Sequence, residues 1–361
     1  MKTKFYLPVL KSKQGEFDAL SKLKDEIKRH VVPLFDITPM EWDFATKAKP
    51  RTIEVHLQNF CKKYLKKWPS SNAFIDTFLI HDKKAGDMPC IEYVFELLIE
   101  KGVKPVPVMR TNSTTDHING ITVISLMHGL PAVGLRITIN DLITPTLEDS
   151  ISDLFSKTGF KAESCHLILD LNDADFANIE DFTDGIVESL KDFPDFKKWK
   201  SFTICGGSFP ATGLIKVGVN QIPRSEWKFY NMLVEKLMVA NSYRAINYGD
   251  YSIVAPGYFE YDPTKMSRSA NIRYSHNDFW YVIKGKALKK SEDYKQYIEQ
   301  ANQILKSKYY FGEIFSEGDL HIKKCTKGQT TPGSPAVWTW VGHNHHFTKV
   351  VSDLYASALS V

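Results

Sequence analysis

The sequence has no apolar run near the roughly 20 residues that span a bilayer, so no membrane helix is expected. It has no signal-peptide core either: MKTKF passes straight into a strand-like run. The expectation is a cytoplasmic protein without a membrane partner. Cysteine is sparse. Cys61, Cys90, Cys165, Cys205 and Cys325 stand far apart, with no CxxC pair. That spacing fits reduced, buried thiols and argues against a disulfide framework. No GxGxxG follows a strand, which argues against a dinucleotide site. The phosphate loop GxxxxGK[ST] and the serine elbow GxSxG are also missing. No clean linker divides the chain, so residues 1–361 read as one domain.

The 361 residues are 43% hydrophobic and 24% charged, which is ordinary for a soluble globular protein. Net charge is +4, but its distribution is uneven. Residues 145–195 carry 13 acidic and 3 basic side chains, whereas residues 261–349 carry 14 basic and 8 acidic ones. One region would repel nucleic acid and another attract it. Solvated helices that differ in sign explain the same counts.

A strand–loop–helix–strand pattern opens the chain. Residues 5–10 form an apolar run, Phe17, Leu20, Leu23 and Ile27 recur at helical spacing, and residues 31–35 form a second apolar run. This is a βαβ unit with parallel strands. The rhythm recurs. Strands are expected near residues 73–80, 104–109, 132–139, 165–169, 202–205 and 245–248. Helices are expected at 53–68, 90–101, 116–128, 146–157, 179–190 and 225–240. Eight strands with intervening helices predict a TIM-like (β/α)8 barrel; a doubly wound open sheet is the alternative, because periodicity does not show closure. Residues 252–290, with Pro256, Gly257 and Pro263, break the rhythm and read as a β insertion. Residues 312–361 read as a loop-rich C-terminal elaboration ending in a helix at 347–359.

Strand ends converge on one face of a parallel barrel. Here they are polar: Lys11, Lys13 and Glu16, then Asp36, Asp76, Arg110, Arg136, Asp170 with Asn172, Ser208, and Asp250 with Tyr251. Arginines grip phosphate or carboxylate through paired donors. A neighbouring carboxylate can activate water or stabilise an oxocarbenium-like centre. Tyr248, Tyr251, Tyr274 and Trp280 can stack on a base or sugar. Mutual Asp–Arg pairing across a barrel is the purely structural explanation.

Other motifs are weaker. Gly206-Gly207-Ser208-Phe209-Pro210 follows a strand and offers backbone N–H groups to a phosphate, or simply makes a tight turn. His343, His345 and His346 lack the cysteines of a usual zinc site. Asp170-Leu171-Asn172-Asp173 lacks the glycine and glutamate of an EF-hand. No metal and no cofactor are expected.

FYLPVLKSKQGEFDAL (residues 5–20), PLFDI (33–37), GSFP (207–210), YGDY (248–251) and IRYSHNDFWYVIKG (272–285) resemble the beta family proteins of phages and bacteria. The likeness runs from Phe5 to about Trp340. The family takes its name from a satellite-phage protein that protects the host from a phage killer protein. The resemblance implies a role in phage–host conflict but supplies no catalytic residues. Its motifs place Arg273 and Tyr274 with Lys11, Lys13, Gly15, Glu16, Asp36, Gly249 and Asp250 among the residues to test.

Together these readings predict an antiphage hydrolase acting on nucleic acid or a nucleotide, with DNA glycosylase-like cleavage of a glycosidic bond. Asp250 leads as catalytic carboxylate, with Asp170 and Asp36 as rivals. Arg110, Arg136 and Arg273 would hold phosphate. The alternative is a non-catalytic binding protein that neutralises a toxin, phage or host factor.

Overall fold

The computed structural model describes residues 4–44, 46–239, 244–260, 262 and 264–355. Among these described residues thirteen strands follow in chain order. They are β1 Tyr6–Leu10, β2 Leu34–Asp36, β3 Phe74–Asp76, β4 Lys84–Ala85, β5 Met88–Pro89, β6 Val106–Met109, β7 Val133–Thr138, β8 Cys165–Asp170, β9 Ser201–Gly206, β10 Gly218–Pro223, β11 Ile246–Asp250, β12 Ser269–Ser275 and β13 Phe279–Ala287. Eight of them close a parallel barrel in the order β1-β11-β9-β8-β7-β6-β3-β2. Helices separate the barrel strands, as the TIM architecture requires. Closure removes the open-sheet alternative.

The barrel strands are buried on both faces, which is why they read as continuous apolar runs. Their side chains still alternate. Leu7, Val9, Leu34, Phe74, Val108, Ile168 and Cys205 pack together inside the barrel. Tyr6, Phe35, Ile75, Leu135, Leu169, Ile204 and Tyr248 pack outward against the helices. Register keeps the phase around the ring: Leu7 pairs with Gly249, Gly249 with Cys205, Cys205 with Asp170, and Asp170 with Thr138. These positions all face the lumen.

After β11 the chain leaves the barrel. A three-stranded sheet, β10-β13-β12, forms beside it. The β insertion expected at 252–290 supplies β12 and β13; β10, which is mostly exposed, joins them from an earlier loop. The helix expected to reach residue 240 spans Ser225–Val239, and residue 240 lies outside the described residues, as does Pro263.

The C-terminal region differs more. In place of loops it holds helices Glu317–Thr326 and Pro335–Leu354. The final helix starts twelve residues before its expected start at 347, and residues 356–359 of that expectation lie outside the described residues. Pro335–Leu354 packs on β1, on helix Gln14–Ser21 and on β12. It thus covers the barrel wall where β1 meets β11. Gly342 permits the close approach: a Cβ there would sit 2.6 Å from Ile253 Cδ1 and 3.0 Å from the Arg273 carbonyl oxygen.

Candidate active site at the barrel mouth

Three strands end in aspartates whose carboxylates first serve their own loops. Asp76 Oδ1 accepts the Phe78 N–H at 2.8 Å, Asp170 Oδ1 accepts Asn172 N–H at 2.9 Å, and Asp250 Oδ1 accepts Ser252 N–H at 2.9 Å. Each turns the chain off the strand end.

The second oxygens separate the three. Arg136 rises from β7 into the lumen and is 3% exposed. Its Nε and Nη2 donate to Asp170 Oδ2 at 2.9 and 2.6 Å. Its Nη1 donates to Asp36 Oδ1 at 2.6 Å and to Asp76 Oδ2 at 2.9 Å. Tyr251 Oη accepts from Nη2 at 3.0 Å and donates to Asp170 Oδ2 at 2.7 Å. Arg110 donates to Asp76 Oδ2 through Nη2 at 2.7 Å and stacks over Phe78 at 4.2 Å. Asp36, Asp76, Arg110, Arg136, Asp170 and Tyr251 therefore form one cluster.

Three carboxyls face two guanidiniums. Burial pushes Asp76 up, but Arg110 and Arg136 outweigh it and hold the carboxyl at about 2. Burial pushes Asp36 up; Arg136 opposes this without cancelling it, and the Asp76 charge adds to the rise. Asp36 is thus shifted in the opposite direction to Asp76, towards the protonated form. Its side chain also retains 10% exposure, the most among the three aspartates around Arg136.

Asp250 does not join this cluster. It precedes Tyr251, so strand alternation turns it out of the lumen. Its Oδ1 accepts the Tyr6 hydroxyl at 2.6 Å, and its Oδ2 lies 2.8 Å from His346 Nε2. Ser275 Oγ meets His346 Nδ1 at 2.6 Å. The expectation that Asp250 converges with Arg110 and Arg136 is corrected: it ties the barrel wall to the C-terminal helix. Burial pushes Asp250 up, but His346, Tyr6 and Arg224 outweigh it and hold it low.

The histidines of that helix also have separate partners. His343 meets Ser252 Oγ at 2.9 Å, and His345 meets Asp319 Oδ2 and the Ser275 carbonyl, each at 2.8 Å. Among the described residues no group of three or more His, Cys, Asp or Glu is placed to hold a metal.

Several other candidates also lie away from the lumen. Arg273 donates to the Ile253 carbonyl at 2.8 Å and to Thr212 Oγ1 at 2.9 Å, which uses it in the appended sheet. Tyr274 donates to Asp319 Oδ1 at 2.6 Å and stacks on His345 at 3.8 Å. Ser208 Oγ donates to Glu226 at 2.5 Å and accepts the Ser225 N–H at 3.0 Å, so it holds the start of a helix. Glu16 accepts the Lys13 N–H at 2.8 Å at the start of helix Gln14–Ser21. Asn172 Nδ2 donates to Asp173 at 2.8 Å.

Lys11 and Lys13 instead line an open pocket of about 920 Å³ beside the ion cluster. The loops after β1 and β2 and helix Ile53–Lys67 frame it. Ser12 Oγ donates to the Asp36 carbonyl at 3.0 Å, which joins pocket and cluster. Lys11, Lys13, Arg51, Lys63 and Arg268 face it, against Glu41 and Asp43. Burial pushes Lys11 and Lys63 down from the usual lysine range. Trp42, Phe44 and Phe60 supply apolar surface.

Sequence reasoning missed Arg51, His56, Lys63 and Trp42. A signal existed. His56, Asn59, Phe60 and Lys63 recur at the helical i, i+3, i+4, i+7 spacing. Polar residues on the face next to a buried one mark a helix that lines something.

A family model described as Beta protein matches residues 6–352. The chain belongs to the Beta protein family. No curated protein matches this Beta family member. Solved structures resemble it distantly. A diaminopimelate decarboxylase matches at 9% identity with a TM-score of 0.38, covering 69% of this chain and 54% of that one. The Beta family chain thus spans about half the length of that decarboxylase. A 3-keto-D-glucoside 4-epimerase from E. coli matches at 12% identity and a TM-score of 0.33, covering 73% and 95%. The N-terminal domain of a putative aldolase from Bacteroides vulgatus matches at 9% and 0.27, covering 99% and 98%. The barrel assignment rests on the closed strand order, and these likenesses add nothing about function.

Proposed function

We propose that this Beta family protein is a cytoplasmic hydrolase of phage–host conflict. Its substrate is a nucleotide or nucleic acid bound in the pocket beside Asp36. Cleavage of a glycosidic bond is the reaction that suits it. One observation carries the proposal: Asp36, whose carboxyl burial pushes up, is joined through its backbone carbonyl and Ser12 to a pocket with five cations and three aromatic side chains. The cations match phosphate, and the aromatic surface matches a base or sugar. Asp36 is then the general acid for the leaving group. Arg136 is a positioning residue that holds Asp36 from behind. Asp170 is spent on Arg136, Tyr251 and Asn172, and Asp250 lies outside the lumen.

The test is chromatography of nucleotides and of phage DNA, including modified-base DNA, after incubation with the protein. Free base or abasic sites are the expected products. Their absence across the panel removes the hydrolase.

A second reading keeps the pocket but not the chemistry: a binding protein that neutralises a toxin or phage factor. The closed ion cluster favours it, since Arg136 is already engaged by three carboxylates and Tyr251. Under this reading Asp36→Asn retains protection against phage, and a stoichiometric partner copurifies.

A further inference from the structure

We infer that the pocket takes the end of a single-stranded polynucleotide rather than a free mononucleotide. This rests on the reading of the pocket as the substrate site.

The first observation is size. Ligand pockets run from roughly 300 to 1,000 Å³, and this one, at about 920 Å³, stands near the top of that range. The second is the rim. Trp42 is 41% exposed, and its backbone N–H donates to Glu260 Oε1 at 2.6 Å. That contact brings the loop after β11 to the same edge. Phe259, the neighbour of Glu260, is 64% exposed. Trp42 lines the pocket and Phe259 follows in the loop that reaches it, and bases stack on such exposed rings without sequence preference.

The third observation is charge beyond the pocket. Lys47 and Lys49 are exposed in the loop that carries Arg51 into the lining. Among the described residues no carboxylate pairs with any of the three. Lys13 is half exposed and only 4.0 Å from Glu41, and exposed Lys265 sits 3.7 Å from Asp262. A mononucleotide meets only the cations that line the pocket. A strand leaving it past Trp42 also meets Lys47 and Lys49. The closed mouth behind, filled by the Arg136 cluster, stops a strand from threading through, so the occupant is an end.

The experiment is fluorescence anisotropy with dT12 labelled in its middle, competed by unlabelled dT12, a circular poly-dT, a blunt duplex and dTMP. Linear dT12 is expected to bind, and dTMP to compete only at a concentration at least a hundredfold higher. The circle and the duplex are expected to compete poorly. With three to four phosphates neutralised, affinity falls about 15- to 60-fold between 50 and 200 mM salt. The triple variant Lys47→Ala, Lys49→Ala, Phe259→Ala, which leaves the pocket lining intact, weakens dT12 at least tenfold and leaves dTMP within about threefold. Equal competition by dTMP or by the circle overturns the inference while leaving the pocket as the substrate site. Equal competition by the duplex overturns it too. If neither dT12 nor dTMP binds at millimolar concentration, the underlying reading fails as well.

Discussion

Replacing Arg136 by Met fits a chain of similar length into the lumen and removes five hydrogen bonds to Asp36, Asp76, Asp170 and Tyr251. Asp76 keeps Arg110, and Asp170 keeps Tyr251 and the Asn172 N–H. Among the described residues the Asp36 carboxyl keeps no side-chain hydrogen-bond partner. Breaking a buried ion pair from one side costs about 3–5 kcal/mol, because the abandoned charge stays buried. Total stabilities run only about 5–15 kcal/mol, so the loss is a large share. The loss also acquires a pH dependence. Freed of Arg136, the buried Asp36 carboxyl rises further above its unfolded value near 3.9. A carboxyl raised on folding keeps its stability at low pH and loses it as pH rises through the folded value. The deficit of Arg136→Met is therefore largest at pH 8 and shrinks towards pH 5. Urea unfolding followed by circular dichroism at both values measures it. A deficit under about 1 kcal/mol at pH 8, or one equal at both values, refutes the account of the cluster as a buried ionic hub.

Three further substitutions probe the frame. Burial raises Glu226 to about 7, from an ordinary 4.5, despite Arg224 and Ser208. Wild-type stability from this group is full below pH 4.5 and falls by about 3 kcal/mol as pH rises through 7; Glu226→Gln flattens that slope in urea melts across the interval. Asp250→Asn places an amide against His346 and costs about 1–3 kcal/mol, read as a lower Tm with unchanged dT12 affinity. Gly342→Ala forces a methyl onto Ile253 and the Arg273 carbonyl and destabilises by about 1–3 kcal/mol; calorimetry shows a lowered Tm, while an unchanged one means that the helix can shift away.

The barrel was legible because both faces of its strands are buried. Runs such as Val106–Met109 stay apolar throughout and are followed by a polar residue, here Arg110. That same burial hid the phase. Where inward and outward positions are both apolar, nothing in YGDY tells whether Asp250 or Tyr251 faces the lumen; the ring's register decides it. Asp76, Asp170 and Asp250 looked alike because each caps its own loop, a local duty that carries no information about the mouth. The last helix was misread for a related reason. His343, Asn344, His345 and His346 are polar yet buried, each paired with a distant segment, so the helix shows no amphipathic stripe. β10 escaped notice because it is exposed and pairs along one edge only.

The most direct test of the central claim sets Asp36→Asn beside Asp250→Asn in one assay of base release from nucleotides and phage DNA. The account predicts that Asp36→Asn loses at least a hundredfold in turnover while still binding dT12, and that Asp250→Asn, once folded, turns over within a few-fold of wild type. The reverse order, or full turnover by Asp36→Asn, contradicts it.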